Sequence, residues 1–124
     1  MSNDFLLHEE DMLKDTHSPV IGFFSVISNK SRFARIADRL SNGIGHGFEF
    51  AGCSFSDDVD VESEKFGDGV EFYLDNGEAV VLGYEEFYWY LKKACMNYLK
   101  KYPEEEKVIQ PILERVRDRY HIAE

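Results

Sequence analysis

The sequence has few cysteines and no long apolar run, and these shortages exclude several classes of protein. Cys53 and Cys95 are far apart and form no CxxC pair, so we expect two buried, reduced thiols and no disulfide framework. The apolar runs are too short to span a membrane, and the N-terminus is acidic where a signal peptide would be basic. The sequence therefore predicts a cytoplasmic protein without a membrane segment.

Positive charge is also scarce, because 14 Lys and Arg residues stand against 24 Asp and Glu residues. Residues 49–86 sum to −11, more than the net charge of −10 for the whole chain, whereas residues 30–48 sum to +3. Proteins bind nucleic acid phosphates with clustered Lys and Arg, so we expect no direct nucleic acid ligand. The small basic stretch "NKSRFAR" is interpreted as a helix surface in preference to a phosphate site.

The length of 124 residues and the apolar fraction of 44% predict one domain, residues 1–124, with a modest core. The apolar "SPVIGFFSVIS" fits either a buried strand or a helix. "SRFARIADRLSNG" predicts a short amphipathic helix with Ser31 as its N-cap and Gly43 as its C-terminal stop. The glycine-rich "IGHGFEFAGCSF" favours a strand that is entered through a turn.

The second half of the chain carries the clearest local patterns. Alternating residues and an Asn-Gly pair in "GVEFYLDNGEAVVLG" predict a tight β-hairpin whose turn has positive φ. "YEEFYWYLKKACMNYLKKY" predicts a helix whose buried stripe contains Phe87, Leu91, Ala94 and Tyr98. "PEEEKVIQPILERVRDRY" predicts a last helix that Pro111 kinks or divides. The expected fold class is α+β: a small antiparallel sheet with a β-hairpin, packed against helices that include two C-terminal ones.

The most unusual stretch is "FSDDVDVESEKFGDGVEF", which holds seven carboxylates and one counter-charge, Lys65. An EF-hand loop needs Gly at its sixth position and Glu at its twelfth, and no register that begins at Asp58 or Asp60 meets both demands. A weak cation site is a minor alternative, and we predict no metal site and no cofactor.

No pattern of catalytic residues is present in the sequence. There is no HExxH pair and no GxSxG turn, "GIGHG" lacks the GxGxxG spacing, and the four histidines are scattered: His8, His17, His46 and His121. The crowded carboxylates are typical of a solvated loop more than of an acid–base pair with separated pKa values. We therefore expect a protein that is not an enzyme.

One aromatic side chain is not accounted for by the predicted core. On a helical wheel Trp89 lies almost opposite Phe87 and beside Met96, on the face that otherwise predicts solvent exposure. Such a pair is typical of a contact surface, and burial under the N-terminal segment is the equal alternative.

The stretch from "SNGIGHGFEFAGCSFSDD" through "GVEF" and "YEEFYWYL" to "YP" and the charged last helix resembles the CdiI immunity proteins of bacterial contact-dependent growth inhibition. It is most similar to the group that neutralises ribonuclease toxins. The resemblance covers roughly residues 40–120 and leaves residues 1–30 unassigned. Gly83 departs from the pattern, because a Ser or Thr helix cap is expected there, and Pro111 interrupts the last helix.

The resemblance implies an immunity protein that binds a cognate ribonuclease toxin domain and has no catalytic activity. Carboxylates would then occupy a cationic cleft that normally holds RNA, and aromatic or apolar side chains would anchor the complex. The residues expected to bind the partner are Asp57, Asp58, Asp60, Glu62, Glu64, Asp68, Glu71, Trp89 and Met96. Two alternatives stay open: a plain solvated loop, and a small acidic adaptor module whose basic partner is not a toxin.

Overall fold

The computed structural model describes residues 6–56 and 69–123, which form four α-helices and one four-stranded antiparallel sheet. The helices and strands are α1 (Ser18–Val26), α2 (Lys30–Ser41), β1 (His46–Gly47), β2 (Ala51–Phe55), β3 (Val70–Leu74), β4 (Ala79–Leu82), α3 (Tyr84–Lys101) and α4 (Glu106–Tyr120). Short 3-10 turns cover Glu9–Asp11, Asp15–His17 and Pro103–Glu105. The predicted α+β class with two C-terminal helices is confirmed.

The sheet is a meander in the order β1-β2-β3-β4, and each strand is antiparallel to its neighbour. The predicted hairpin joins β3 and β4, but its turn differs in detail from the prediction. The Leu74 N–H donates to the Glu78 carbonyl at 2.9 Å, so the loop holds three residues. Within it only Gly77 has positive φ, at 97°, and Asn76 does not. A three-residue loop needs a single left-handed position, which glycine supplies without steric cost.

One face of the sheet carries the core. Alternate side chains on this face are buried: Ala51, Cys53, Phe55, Val70, Phe72 and Leu82. The ring of Phe72 lies 5.4 Å from that of Phe23 in α1 and 6.4 Å from that of Phe87 in α3, so both helices pack on this face. Glu71, Tyr73 and Val81 point to the opposite side of the sheet, here called the open face, where Val81 is 42% exposed.

The segment that fitted either a strand or a helix is α1. Gly22 lets this helix lie close to β3, because a Cβ there would come within 2.7 Å of the Leu74 side chain. Phe23 and Phe24 are fully buried against Phe72. Contacts on several sides of the helix explain why its sequence shows no clear amphipathic period.

The N-cap of helix α2 lies two residues earlier than the predicted cap. The Asn29 side chain accepts a hydrogen bond from the Arg32 N–H at 2.9 Å, so Asn29 is the N-cap and the assignment to Ser31 is wrong. Both residue types can cap a helix, and the sequence does not distinguish between them. The predicted stop at Gly43 is confirmed, since this residue has φ 75° and its N–H donates to the Leu40 carbonyl at 3.0 Å.

Helices α3 and α4 complete the core. The predicted stripe on α3 is buried, and α4 packs mainly against α2 and α3 and reaches the sheet through Tyr120, whose ring lies 6.4 Å from that of Phe55. Helix α4 continues through Pro111. Of the two predicted effects of this proline, a kink or a division, the division is therefore wrong. Pro111 is exposed, and the carbonyl that it leaves without an amide donor can be hydrated.

Both cysteines are buried and free, as predicted. Burial raises the pKa of the Cys53 and Cys95 thiols well above the usual range. They therefore behave as small apolar core residues.

Candidate functional site

Most of the predicted acidic contact residues lie outside the described part of the chain: Asp57, Asp58, Asp60, Glu62, Glu64 and Asp68. The two residues that flank this acidic segment, residues 57–68, are described. The Ser56 N–H donates to the Gly69 carbonyl at 3.0 Å, and the Gly69 N–H donates to Ser56 Oγ at 2.9 Å. The two residues that flank the acidic segment therefore meet at one point, at an end of the sheet.

This point is connected to the start of α3 and the end of α4. Ser56 Oγ lies 3.0 Å from the hydroxyl of Tyr84, the first residue of α3. The Tyr84 ring in turn stacks on the ring of Tyr120, with 3.9 Å between centroids and 10° between planes. Contacts of Ser56, Tyr84 and Tyr120 thus join the end of β2 to the first turn of α3 and the last turn of α4, here called the tyrosine base.

Trp89 and Met96 lie together on the side of α3 that points away from the sheet. They are 40% and 50% exposed, so the alternative of burial under the N-terminal segment is wrong. That segment runs beside them instead, where the Leu13 N–H donates to the Tyr90 hydroxyl and the Asn97 amide donates to the Leu6 carbonyl.

The exposed pair belongs to a groove of about 520 Å³, here called the α3 groove. Its walls are Glu85, Tyr88, Trp89, Lys92, Lys93, Met96, Ile122 and Ala123. Ile122 and Ala123 form the wall opposite α3. They reach this position because His121 adopts the left-handed conformation, φ 55°, after which the Ile122 N–H donates to the Arg117 carbonyl at 2.9 Å. Arg117 also donates to the Tyr88 hydroxyl at 2.8 Å, which ties α4 to the groove.

The Ile122 and Ala123 side of the groove was missed by sequence reasoning. Both residues follow the last predicted helix, and nothing in their local pattern indicates that the chain turns back toward α3. The turn depends on the left-handed conformation of His121, and although histidine adopts positive φ more often than most residues, the sequence does not predict it at this position.

A family model described as CDI immunity protein matches residues 9–113. The chain belongs to the CDI immunity protein family. The match includes residues 9–30, which the sequence resemblance left out, and it ends before the C-terminal wall of the α3 groove. A search of curated proteins found no match. Immunity proteins of this kind bind a cognate toxin protein.

Three of the predicted contact residues of this immunity protein are described by the structure, and they lie on two different surfaces. Trp89 and Met96 share the α3 groove, whereas Glu71 lies on the open face of the sheet, on the other side of the core. The groove itself is not acidic, because two lysines line it with one glutamate, and Lys93 Nζ lies 3.9 Å from Asp11 Oδ1. Glu71 and the pair Trp89 and Met96 therefore lie on separate surfaces of the described part of the immunity protein.

His17 and Tyr90 form a buried titratable pair with a structural role in the immunity protein. His17 is buried with its Nδ1 2.7 Å from the Tyr90 hydroxyl, which also accepts the Leu13 N–H at 2.7 Å. Burial lowers the pKa of His17, and the phenolic proton of Tyr90 suits a neutral imidazole. Over residues 6–56 and 69–123, no three metal-ligating side chains come together, and no helix is long and apolar enough to cross a membrane.

Proposed function

We propose that this immunity protein neutralises a cognate ribonuclease toxin in the cytoplasm by forming a stoichiometric complex, without catalysing a reaction. Membership of the CDI immunity family supports a toxin as the partner. The charge of −11 over residues 49–86 supports a ribonuclease in particular, because an enzyme that cleaves RNA presents a cationic cleft. The concentration of carboxylates in one segment is the observation that carries this proposal.

In this proposal the acidic contact set approaches the toxin cleft in place of RNA phosphates. Its members are Asp57, Asp58, Asp60, Glu62, Glu64, Asp68 and Glu71. Hydrogen bonds join the flanking residues Ser56 and Gly69 to each other, and Ser56 also contacts Tyr84 of the tyrosine base. Complementary charge raises the association rate and suppresses binding to wrong partners, which suits an inhibitor that must intercept a delivered nuclease.

The α3 groove supplies the apolar contact that tight binding requires. Interface energy is concentrated in a few desolvated aromatic or apolar anchors, and Trp89 and Met96 are exposed side chains of that type. The groove reaches Glu85, which directly follows Tyr84, the residue that contacts Ser56. One toxin surface can therefore cover the base of the acidic segment and the neighbouring end of the groove.

The test uses the toxin domain encoded beside this gene, purified alone and mixed with the immunity protein. We expect a one-to-one complex by size-exclusion chromatography and loss of RNA cleavage at one equivalent of inhibitor. Complete inhibition at strongly substoichiometric amounts would contradict the absence of catalysis. A toxin that binds but cleaves a substrate other than RNA would overturn the ribonuclease assignment. The second candidate, an acidic adaptor for a basic partner, predicts no binding to the toxin at all.

A further inference from the structure

Helix α2 carries a basic stripe that the proposed toxin contact does not use. Arg32, Arg35 and Arg39 are spaced three and four residues apart, which places them on one side of the helix. This side is next to β1, which packs against α2. In a protein with a net charge of −10, three arginines on one short helix form a distinct basic surface.

Two of the three guanidinium groups are held by backbone oxygens and not by carboxylates. Arg32 Nη1 donates to the Val26 carbonyl at 3.1 Å, and its Cζ lies 5.5 Å from the centre of the Phe48 ring. Arg39 Nη2 donates to the Gly45 carbonyl at 3.4 Å. Of the residues that the structure describes, no carboxylate forms an ion pair with any of the three arginines. Their positive charges are therefore not neutralised by described neighbours.

Arg39 has a second unusual property. Its Nε is buried and has no hydrogen-bond acceptor, and no other buried side-chain nitrogen or oxygen in the described residues shares this condition. Buried polar groups in native proteins nearly always have a partner, and a donor without one requires an explanation. A bound oxyanion would supply the acceptor, since the Nε edge of a guanidinium group is well suited to two oxygens of one anion.

His46 in β1 shows that the three charges act on the same place. Its ring lies 4.6 Å from the Phe48 ring, which Arg32 also contacts. The pKa of His46 is lowered first by burial and then by Arg39, Arg35 and Arg32, and no carboxylate contributes. His46 therefore lies within electrostatic reach of all three arginines of the stripe.

We propose that Arg32, Arg35, Arg39 and His46 form a binding site for a phosphate group, either inorganic phosphate or the terminal group of a phosphomonoester. Three guanidinium groups on one side of α2 match an anion of charge near −2 with three or four acceptor oxygens better than a carboxylate with two. An RNA chain is a poorer fit, because the patch is small and the rest of the protein repels a polyanion.

The direct test is isothermal titration calorimetry with inorganic phosphate and, separately, with adenosine monophosphate, at constant ionic strength set with chloride. Saturable binding in the millimolar range or tighter is expected for both. Equal affinities would identify the phosphate group alone as the ligand, and tighter binding of the nucleotide would identify a phosphomonoester. Absence of saturable binding by either probe, or equally tight binding of adenosine, would overturn the proposal.

The variant Arg35→Gln separates binding from folding. Arg35 is exposed, so its loss leaves the core intact, yet it removes one charged donor and should weaken phosphate binding at least about tenfold. Lys14→Gln is the matched control, since it removes one positive charge beside His17 and not beside His46. Equal loss of affinity in both variants would show only a general charge effect and refute the site.

A second measurement follows the His46 ring by NMR during a pH titration. Bound phosphate offsets the three arginines, so the pKa of His46 should rise in its presence, and Arg35→Gln should reduce this rise. An unchanged His46 titration at saturating phosphate would place the ligand elsewhere and refute the proposed site.

Discussion

Replacement of Trp89 by Ala distinguishes a binding role of the α3 groove from a structural one. Trp89 is 40% exposed, so its truncation leaves no enclosed cavity, and its main ring contact is edge-on to Tyr90 with 5.2 Å between centroids. Loss of one such contact costs about 1 kcal/mol, which lowers the melting temperature of a domain of this size by about 4 °C.

The effect on toxin binding should be larger than the effect on stability. A desolvated tryptophan anchor contributes about 2 kcal/mol or more to an interface, so Trp89→Ala should weaken the complex by about 30-fold. Surface plasmon resonance on the immobilised toxin domain measures this loss, and thermal unfolding of the isolated variant measures its stability.

Phe87→Ala is the matched control on the opposite side of the same helix. Phe87 is fully buried, with its ring 5.2 Å from that of Phe55, and its truncation should cost about 4 kcal/mol of folding free energy. The corresponding fall in melting temperature is roughly 15 °C. If Trp89→Ala destabilises the protein as much as Phe87→Ala, or leaves toxin affinity unchanged, the groove is not a binding anchor.

Three further predictions address the acidic segment, the buried His17 and the N-cap of helix α2. Replacing Asp58, Asp60 and Glu62 together by Asn and Gln should slow association with the toxin and flatten its salt dependence in stopped-flow mixing, with little effect on dissociation; an unchanged salt slope would favour the plain solvated loop. Because burial lowers the pKa of His17 from 6.5, folding stability should be complete above about pH 6.5 and decrease as the pH falls below that value. Urea unfolding at several pH values measures this loss, and His17→Phe should show a smaller slope over the same range. Asn29→Ala should cost about 1 kcal/mol in urea unfolding, whereas Asn29→Asp should cost much less, and equal losses would exclude a capping role.

Local sequence patterns were sufficient to predict the helices and strands whose conformation depends on residues close together in the chain. The β3–β4 hairpin follows from alternating side chains and one glycine that can adopt positive φ, and α3 follows from a stripe of apolar residues at helical spacing. The outward direction of Trp89 follows from the same helical geometry, because Phe87 fixes which side of α3 faces the core. The sequence could not identify α1, whose apolar residues contact neighbours on several sides, or choose between Asn29 and Ser31 as the cap of α2.

The α3 groove and the basic stripe beside His46 both depend on packing between residues that are distant in the chain. The α3 groove requires Ile122 to return to a helix that ended some twenty residues earlier, and this return depends on the left-handed His121. The basic stripe acts on His46 only because β1 packs against α2, which brings this histidine within electrostatic reach of Arg39. Sequence determines the residue types, the net charge and the period of each element, because these are properties of adjacent residues. Tertiary packing alone decides which side chains from separate elements share a surface, because that depends on how the elements bury their apolar faces against one another.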